Sequence, residues 1–324
     1  MFLFADKPAT FWFPEQASTF AKEVDWFYMA MLYISLFFFV LIVAAMVYSM
    51  IAFRGRPGYK GSVEALHNNW LEFWWTFIPC VIAVWIFARG VYGYLDQMTI
   101  PVDTNDVEVR AQKWAWSFTY PGGVTTNELH LVVDKPAKMI MRSDDVLHAL
   151  FIPVFRVKSD IVPGRYTNMW FEPTLEGKYD LFCAEYCGDK HSVMHADVYV
   201  ESQKTYDAWL AKEMLPPSDP WEWGKKQYEK SKGCIACHSI DGKKVVGPSF
   251  LDSWGKDVEL ATGGTVKFDE NYLRESVLNP QAKARKGFET AALMPSYQGR
   301  LKEEEISALI EFMKNVKNNP NKKE

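Results

Sequence analysis

Two clusters of sulfur and imidazole mark this chain. The run Cys183-Ala-Glu185-Tyr-Cys187-Gly-Asp-Lys-His191-Ser-Val-Met194 gathers two thiols, an imidazole and a thioether, and His148 lies upstream in Asp145-Val-Leu-His148-Ala-Leu-Phe-Ile-Pro153. Sulfur mixed with imidazole is a soft donor set that suits copper better than magnesium or calcium. Two cysteines so spaced can turn both sulfurs to one centre from a single loop. Three chemistries compete here. One is a Cys183–Cys187 disulfide in an exported domain. Another is a zinc site, which has little need for a methionine. The third is copper, which uses every donor. The second cluster, Cys234-Ile-Ala-Cys237-His238, has the C-x-x-C-H spacing of haem attachment. Two thiols on one helical turn reach the two vinyl groups, and the next imidazole becomes an iron ligand. A zinc or redox Cys-x-x-Cys followed by chance by histidine is the competing reading. Cys80, alone in an apolar run, is expected to be a packing residue. His67 and His130 have no companion donors and are expected at the surface or in loops.

These clusters need a scaffold, and the chain of 324 residues is long enough for two or three domains. Its net charge of −4 gives no reason to expect a nucleic-acid partner. The first hundred residues are rich in aromatic and aliphatic side chains and the last hundred in Lys and Glu. Trp26 to Phe53 holds no charged residue over 28 positions. As a helix that is roughly 42 Å, enough to cross a hydrocarbon core of about 30 Å with tilt. It is too long for a signal peptide, and a second apolar run follows it. That second run, Phe73 to Ala88, must take in Trp70 to Glu72 and Arg89 to Leu95 to span, with Arg89 snorkelling to the interface. The loop between the runs carries Arg54, Arg56 and Lys60, and the outer flanks carry mainly Lys22 and Arg89. By the positive-inside rule the loop is cytoplasmic. Both termini then lie outside, and everything after Leu95 is exported, to the periplasmic side in a bacterium.

From about Ile100 to Leu210 the pattern becomes short β-type runs at Val107, Leu129, Met139 and Val198, with turn signals at Gly122-Gly123 and Pro163-Gly164. This predicts an all-β sandwich or barrel. A helix is expected over Lys204 to Met214. Pro216-Pro217-Ser218-Asp219-Pro220 reads as a linker. Helices over Gly224 to Ser231, Asn271 to Leu278 and Lys302 to Lys317 then make a small third domain. The expected divisions are 1–25 N-terminal segment, 26–95 transmembrane hairpin, 96–212 β domain, 213–223 linker, 224–318 helical domain and 319–324 polar tail.

The helical domain resembles a class I cytochrome c. Gly247-Pro248 stands at the family's Gly-Pro, which implies that the Pro248 carbonyl accepts the other N–H of His238. Met294-Pro295 stands where the family supplies its distal methionine. The resemblance thus makes His238 and Met294 the axial iron ligands and Cys234 and Cys237 the haem thioethers. Met/His ligation raises the iron potential, as an electron carrier needs.

Residues 26 to 210 resemble subunit II of haem–copper cytochrome c oxidases, through C-x-E-x-C-x3-H-x2-M and the upstream histidine. The resemblance implies a cupredoxin-like Greek-key sandwich holding the dinuclear copper centre CuA. Cys183 and Cys187 bridge two coppers, His148 and His191 bind one each, and Met194 is a weak ligand. Glu185 binds through its backbone carbonyl and reaches a magnesium ion with its side chain at the junction with subunit I. Many relatives have proline after the ligand methionine; here it is His195, expected to face water. Trp114 in Trp114-Ala-Trp116-Ser-Phe118-Thr-Tyr120 matches the tryptophan where electrons enter from cytochrome c, though an aromatic strand packed on a core explains the same alternation. Glu72, in Glu72-Phe-Trp-Trp75-Thr76-Phe-Ile-Pro79, matches a glutamate near the entrance of a proton path. Asp144, Asp145, Asp160, Glu172 and Asp189 make an acidic surface of the kind relatives use to dock basic cytochromes. A solvated acidic face is the plain reading of these carboxylates.

Two spans, a CuA sandwich and a fused cytochrome c together resemble subunit II of the caa-type oxidases. The function implied is receipt of electrons from a donor cytochrome or upstream respiratory complex. They pass through haem c and CuA to subunit I, where oxygen is reduced to water and protons are pumped. Membrane lipid, subunit I and subunit III are the implied partners, and the bacterial inner membrane the location. The same subunit in a CuA-containing nitric oxide reductase, or a copper-binding assembly module without turnover, are the alternatives.

Overall fold

The computed structural model describes residues 9–55, 58, 67–231, 233–289 and 294–316. Arg56 and Lys60, two of the loop charges, and the tail at 319–324 lie outside the described residues.

Helix α1 runs over Thr19–Ala52 and α2 over Asn69–Met98. Both are long and apolar enough to cross a membrane, and the apolar stretch of each is buried against nothing in the chain. A helix apolar all round belongs in lipid or in a large core. Cys80 is exposed on α2 within this chain. The helices meet near one end. Arg89 Nη2 lies 2.8 Å from Glu23 Oε2, its guanidinium sits 5.2 Å over the Trp26 ring, and Trp26 meets Trp85 edge-on. A cation, a carboxylate and tryptophans at one level are what a membrane–water interface selects.

Helix α1 begins seven residues before the uncharged run, because its first two turns lie outside the apolar layer and against the β domain. Ser18 caps the helix, its Oγ accepting from Ala21 N at 3.2 Å and donating to Phe155 O at 2.8 Å. Asp25, taken from sequence as a boundary charge, is 7% exposed. It receives Arg156 Nε at 2.8 Å and Nη2 at 2.9 Å, and Gln16 Nε2 at 2.8 Å. Arg156 gives its remaining hydrogens to the carbonyls of Glu15, Pro153 and Pro14. A planar fork with each nitrogen engaged fixes the angle between α1 and the β domain. Removing one partner of such a pair leaves a buried charge, at about 3–5 kcal/mol. Asp25→Leu is therefore expected to loosen the junction by that amount. The check is a lower midpoint for thermal unfolding of the β domain in the purified protein.

The β domain is a sandwich of two five-stranded sheets. One sheet holds β1 (Asn105–Gln112), β2 (Ala115–Thr119), β3 (Thr125–Thr126), β5 (Ala137–Ser143) and β8 (Thr167–Phe171), in the order β3-β2-β1-β5-β8. The other holds β4 (Leu129–Val132), β6 (His148–Ile152), β7 (Val157–Ile161), β9 (Gly177–Cys183) and β10 (His195–Glu201), in the order β4-β10-β9-β6-β7. Side chains alternate across each strand, so Val107, Val109 and Ala111 of β1 face inward toward Leu150, Ile152, Leu181 and Val198. Each large side chain buried this way contributes about 1.5–3 kcal/mol. Trp116, Phe118 and Tyr120 all join this core.

His130 departs from expectation. It lies on β4, only 5% exposed, stacked between Trp209 at 3.8 Å and Tyr199 at 4.8 Å, with Nδ1 3.3 Å from Glu201 Oε2. Aromatic stacking and a strand position replace the companion donors it lacks in sequence. His67 is exposed, as expected.

Helix α3 spans Gln203–Met214 and α4 spans Pro220–Lys226. Helix α4 starts inside the expected linker. Proline suits a first helical position, and Asp219 caps it by accepting from Trp221 N at 2.9 Å. A π-helical stretch continues to Ser231, then α5 covers Glu270–Leu278 and α6 Glu303–Lys314. Gly224 lets α4 cross α6 closely, since a Cβ there would overlap the Ala308 carbonyl. A short hairpin of β11 (Asp257–Glu259) and β12 (Thr265–Lys267) is an addition to the all-helical expectation.

Candidate metal and haem centres

The loops at one end of the sandwich bring the first donor set together. His148 opens β6 and Cys183 closes β9, two antiparallel neighbours. The loop 184–186 brings Cys187 back beside Cys183, and Gly188, at φ 116°, turns the chain onward to His191. A 3-10 turn then carries His191, and Met194 leads into β10. The sulfurs of Cys183 and Cys187 are 3.8 Å apart. That is far beyond the roughly 2.05 Å of a disulfide. Cys183 Sγ lies 3.8 Å from His148 Nδ1, Cys187 Sγ 3.5 Å from His191 Nδ1, and Cys187 Sγ 3.8 Å from Met194 Sδ. The Glu185 carbonyl is 3.2 Å from Cys183 Sγ. Donors bound at about 2.0–2.3 Å around shared ions stand at separations like these. The set is buried, sulfur-rich and lacks a disulfide, so the residues present fit copper.

Electrostatics prepare the thiols. Burial opposes charge on either sulfur. The His148 hydrogen bond and backbone dipoles near Ala149 and Glu185 nonetheless pull the Cys183 thiol below its ordinary range. For Cys187, burial and then the charge on Cys183 push the thiol up. A cation between them would relieve that opposition.

Asp145 is the residue that sequence reading assigned only to the acidic face. Its Oδ1 lies 2.9 Å from His148 Nε2, which turns the other ring nitrogen, Nδ1, to the sulfurs. Burial raises the Asp145 carboxyl, but bonds from His148 and the backbone of Lys113 and Val146 hold it below the ordinary carboxylate range. The Asp145–His148 spacing was the available signal. Trp114 is 7% exposed and rests on the copper loop, where a Cβ at Gly188 would stand 3.1 Å from Trp114 Cζ2. His195 is exposed and bonds Asp180 at 2.8 Å. Glu185 is half-buried, and Glu72, in the first turn of α2, lies 3.6 Å from His67.

The second set lines a cleft of about 1270 Å³ in the helical domain, with Cys234, Cys237, His238 and Met294 all on its walls. Apolar walls come from Phe250, Leu273, Val277, Leu309 and Met313. His238 Nδ1 lies 2.9 Å from the Pro248 carbonyl, and its ring stacks on Phe250 at 4.5 Å. Burial lowers the His238 pKa, which favours the neutral imidazole that iron requires. A Cβ at Gly247 would stand 2.5 Å from His238 Cε1, so glycine is required beside that ring. Tyr228, missed in sequence, donates from its hydroxyl to the His238 carbonyl at 2.6 Å. A flat apolar cleft with paired thiols and a neutral imidazole fits haem.

The two centres lie against each other. Cys237 Sγ is 4.0 Å from the Lys113 carbonyl oxygen, Lys113 N donates to Asp145 Oδ2 at 2.7 Å, and Asp145 holds His148. Lys190 Nζ donates to the Ala236 carbonyl at 2.6 Å across the same seam.

Fold and sites define a class: a membrane-anchored cupredoxin-like sandwich carrying a c-type cytochrome domain. Family comparison agrees. Residues 6–90 match the family model for the transmembrane domain of cytochrome c oxidase subunit II, 92–202 that for its periplasmic domain, and 222–317 that for cytochrome c. The alternative cytochrome c oxidase subunit 2 of Bradyrhizobium diazoefficiens is 32% identical over 54% of this chain and 74% of that one. A cytochrome c oxidase subunit 2 of Alkalihalophilus pseudofirmus is 27% identical over 86% of this chain and 82% of that one. The periplasmic domain of subunit II of the cytochrome oxidase of Bradyrhizobium japonicum aligns with 36% of this chain and 96% of that one, at 26% identity and a TM-score of 0.34. The chain belongs to the cytochrome c oxidase subunit II family and carries an appended cytochrome c domain. It is thus a subunit of a haem–copper oxidoreductase, with copper and haem c as its groups and its copper domain outside the membrane.

Proposed function

We propose that this chain receives electrons for a caa-type terminal oxidase that reduces oxygen to water and pumps protons. Electrons arrive from an outside donor, a cytochrome or an upstream respiratory complex, at haem c, cross to CuA and continue to the haems of subunit I. When bound, both groups supply one-electron chemistry without bond breaking. The observation that carries the reading is the contact of Cys237 with the Lys113 carbonyl, since the Lys113 N–H bonds the Asp145 that holds His148. A tether adds to it by raising the local concentration of the donor domain to roughly millimolar.

The protein's own residues hold and orient. When bound, copper would be held by the Cys183 and Cys187 thiolates, the His148 and His191 imidazoles, the Glu185 carbonyl and, more weakly, the Met194 thioether. Asp145 sets the His148 ring, and the bond to Pro248 sets the His238 ring with Nε2 toward the cleft. Cys234 and Cys237 would carry the haem, and His238 and Met294 would ligate its iron. Trp114 shields the copper loop from water and is assigned to electron input. Glu72 is assigned to the mouth of a proton path and the Glu185 side chain to magnesium at the subunit I junction. We assign the divisions 26–95, 96–212 and 224–318 to membrane, copper and haem units. The 54–60 loop is assigned to the cytoplasm of a bacterial cell and both termini to the outer side. Subunits I and III are the assigned partners.

The test is stopped-flow reduction of the purified complex, followed by oxygen and nitric oxide consumption. The proposal expects haem c and copper to reduce on one timescale and oxygen to be the faster substrate. Copper that stays oxidised while haem c reduces, or faster nitric oxide turnover, overturns it.

A further inference from the structure

The cytochrome domain is seated on the copper domain by a compact polar contact. Arg300, just before α6, sends Nη1 to within 3.0 Å of Asp144 Oδ2 and Nη2 to 3.2 Å from Gln112 Oε1. Gln112 Nε2 reaches the Tyr297 hydroxyl at 3.5 Å. Asp144 also has Arg110 at 3.6 Å and Arg142 at 3.7 Å, both beyond hydrogen-bond distance. Arg300 is thus the guanidinium bonded to this carboxylate, and its fork joins the neighbouring ends of the parallel strands β1 and β5, one residue past their last pair, Ala111 with Ser143. Lys113 is the residue whose carbonyl faces Cys237. Two residues on, Ala115 Cβ would meet a Cβ at Gly233 at 2.8 Å, so the two backbones are close here. Among the described residues, Cys237 and Val246 are the cytochrome-domain side chains packed on the sandwich core. Beside them the seat depends on charged hydrogen bonds, which are the stronger kind and are salt-sensitive.

We propose that Arg300 is a positioning residue, which latches the tethered cytochrome domain through Asp144 and Gln112 so that the Cys237 edge faces Lys113. The proposal rests on the electron route given above. In that transfer one electron leaves haem iron(II) and one is gained by the copper pair, with no atom or proton moved. Arg300 and Asp144 belong to neither donor set, so they govern the rate through the fraction of time the domain is seated. Interdomain contacts of this kind leave domain motion as the default, and a missing latch exposes it.

The experiment uses the intact detergent-solubilised complex. A photoexcited ruthenium complex injects an electron into haem c, and the near-infrared copper band reports its arrival. Arg300→Gln and Asp144→Asn are each expected to slow arrival about tenfold, as loss of one charge-assisted contact implies. The double variant is expected to be no slower than Arg300→Gln, because that change already removes the Asp144 contact. Arg300→Lys, which keeps charge but not the fork, falls between. Amide exchange in residues 112–117 and 233–237 rises in the slow variants, while haem and copper spectra and potentials stay as in the parent. Unchanged rates, or effects that multiply in the double variant, overturn the latch. Failure of the electron route itself would look different: the copper band would not respond in the parent complex either.

Discussion

A Cys187→Ser complex is expected to lose its near-infrared copper absorption entirely while keeping the haem c spectrum. Cys187 is the hub of the copper loop, with its sulfur 3.8 Å from Cys183, 3.5 Å from His191 and 3.8 Å from Met194. A serine hydroxyl is a hard donor that stays protonated near neutrality, so it replaces neither the thiolate charge nor the soft bond. Changes to residues that merely orient a metal ligand lower affinity or activity about 10–100-fold. Loss of the shared sulfur should exceed that range, and turnover should fall by more than about 100-fold. The haem cleft lies in its own domain with its own core, so the cytochrome spectrum is the internal control. Survival of the copper band in the variant would show that another residue holds the ion.

The second large effect belongs to Met294→Ala. Met294 lines the cleft that His238 occupies, and Met313 also reaches its wall. Met313 lies on α6 and is 4% exposed within the domain core, where it fills space beside Leu309 and Ile310. Replacing the thioether by alanine is expected to leave iron high-spin or capture a different sixth ligand. The potential should fall by a sizeable part of the roughly 0.8 V that axial ligands span. Redox titration with optical detection checks both. An unchanged spectrum and potential would move the axial role to another side chain.

Sequence alone revealed the elements whose signal is local. Trp26 to Phe53 is readable as a span because every residue votes the same way. Cys234, Cys237 and His238 are readable because haem attachment demands one turn of chain. The start of α1 at Thr19 was not legible, because Lys22, Glu23 and Asp25 look like the edge of a membrane. Only the fold shows that Asp25 is buried against Arg156, 131 positions away. Helix α4 hid for a similar reason: Pro220 marks a loop in composition but a first helical turn in context. His130 looked like a loop histidine because its partners, Glu201, Tyr199 and Trp209, arrive from β10 and α3.

The donor loop was legible as a cluster, but its supports were less so. Asp145 stands three residues before His148, so its orienting bond had a local signal that was read only as surface charge. Gly247 illustrates the opposite case: its pairing with Pro248 was visible, and the structure supplies the reason, a ring too close for any Cβ. Contacts across the seam, such as Arg300 with Asp144, join positions 156 apart and carry no sequence pattern at all.

Counting metal in the complex taken from its own membrane asks the plainest question of this account. If paired sulfur and imidazole sites were built to relay single electrons inward, each chain should yield two coppers and one covalent haem, with Cys183 and Cys187 open to alkylation after copper is stripped. A preparation with haem but no copper, and with those two sulfurs bonded to each other, would contradict it.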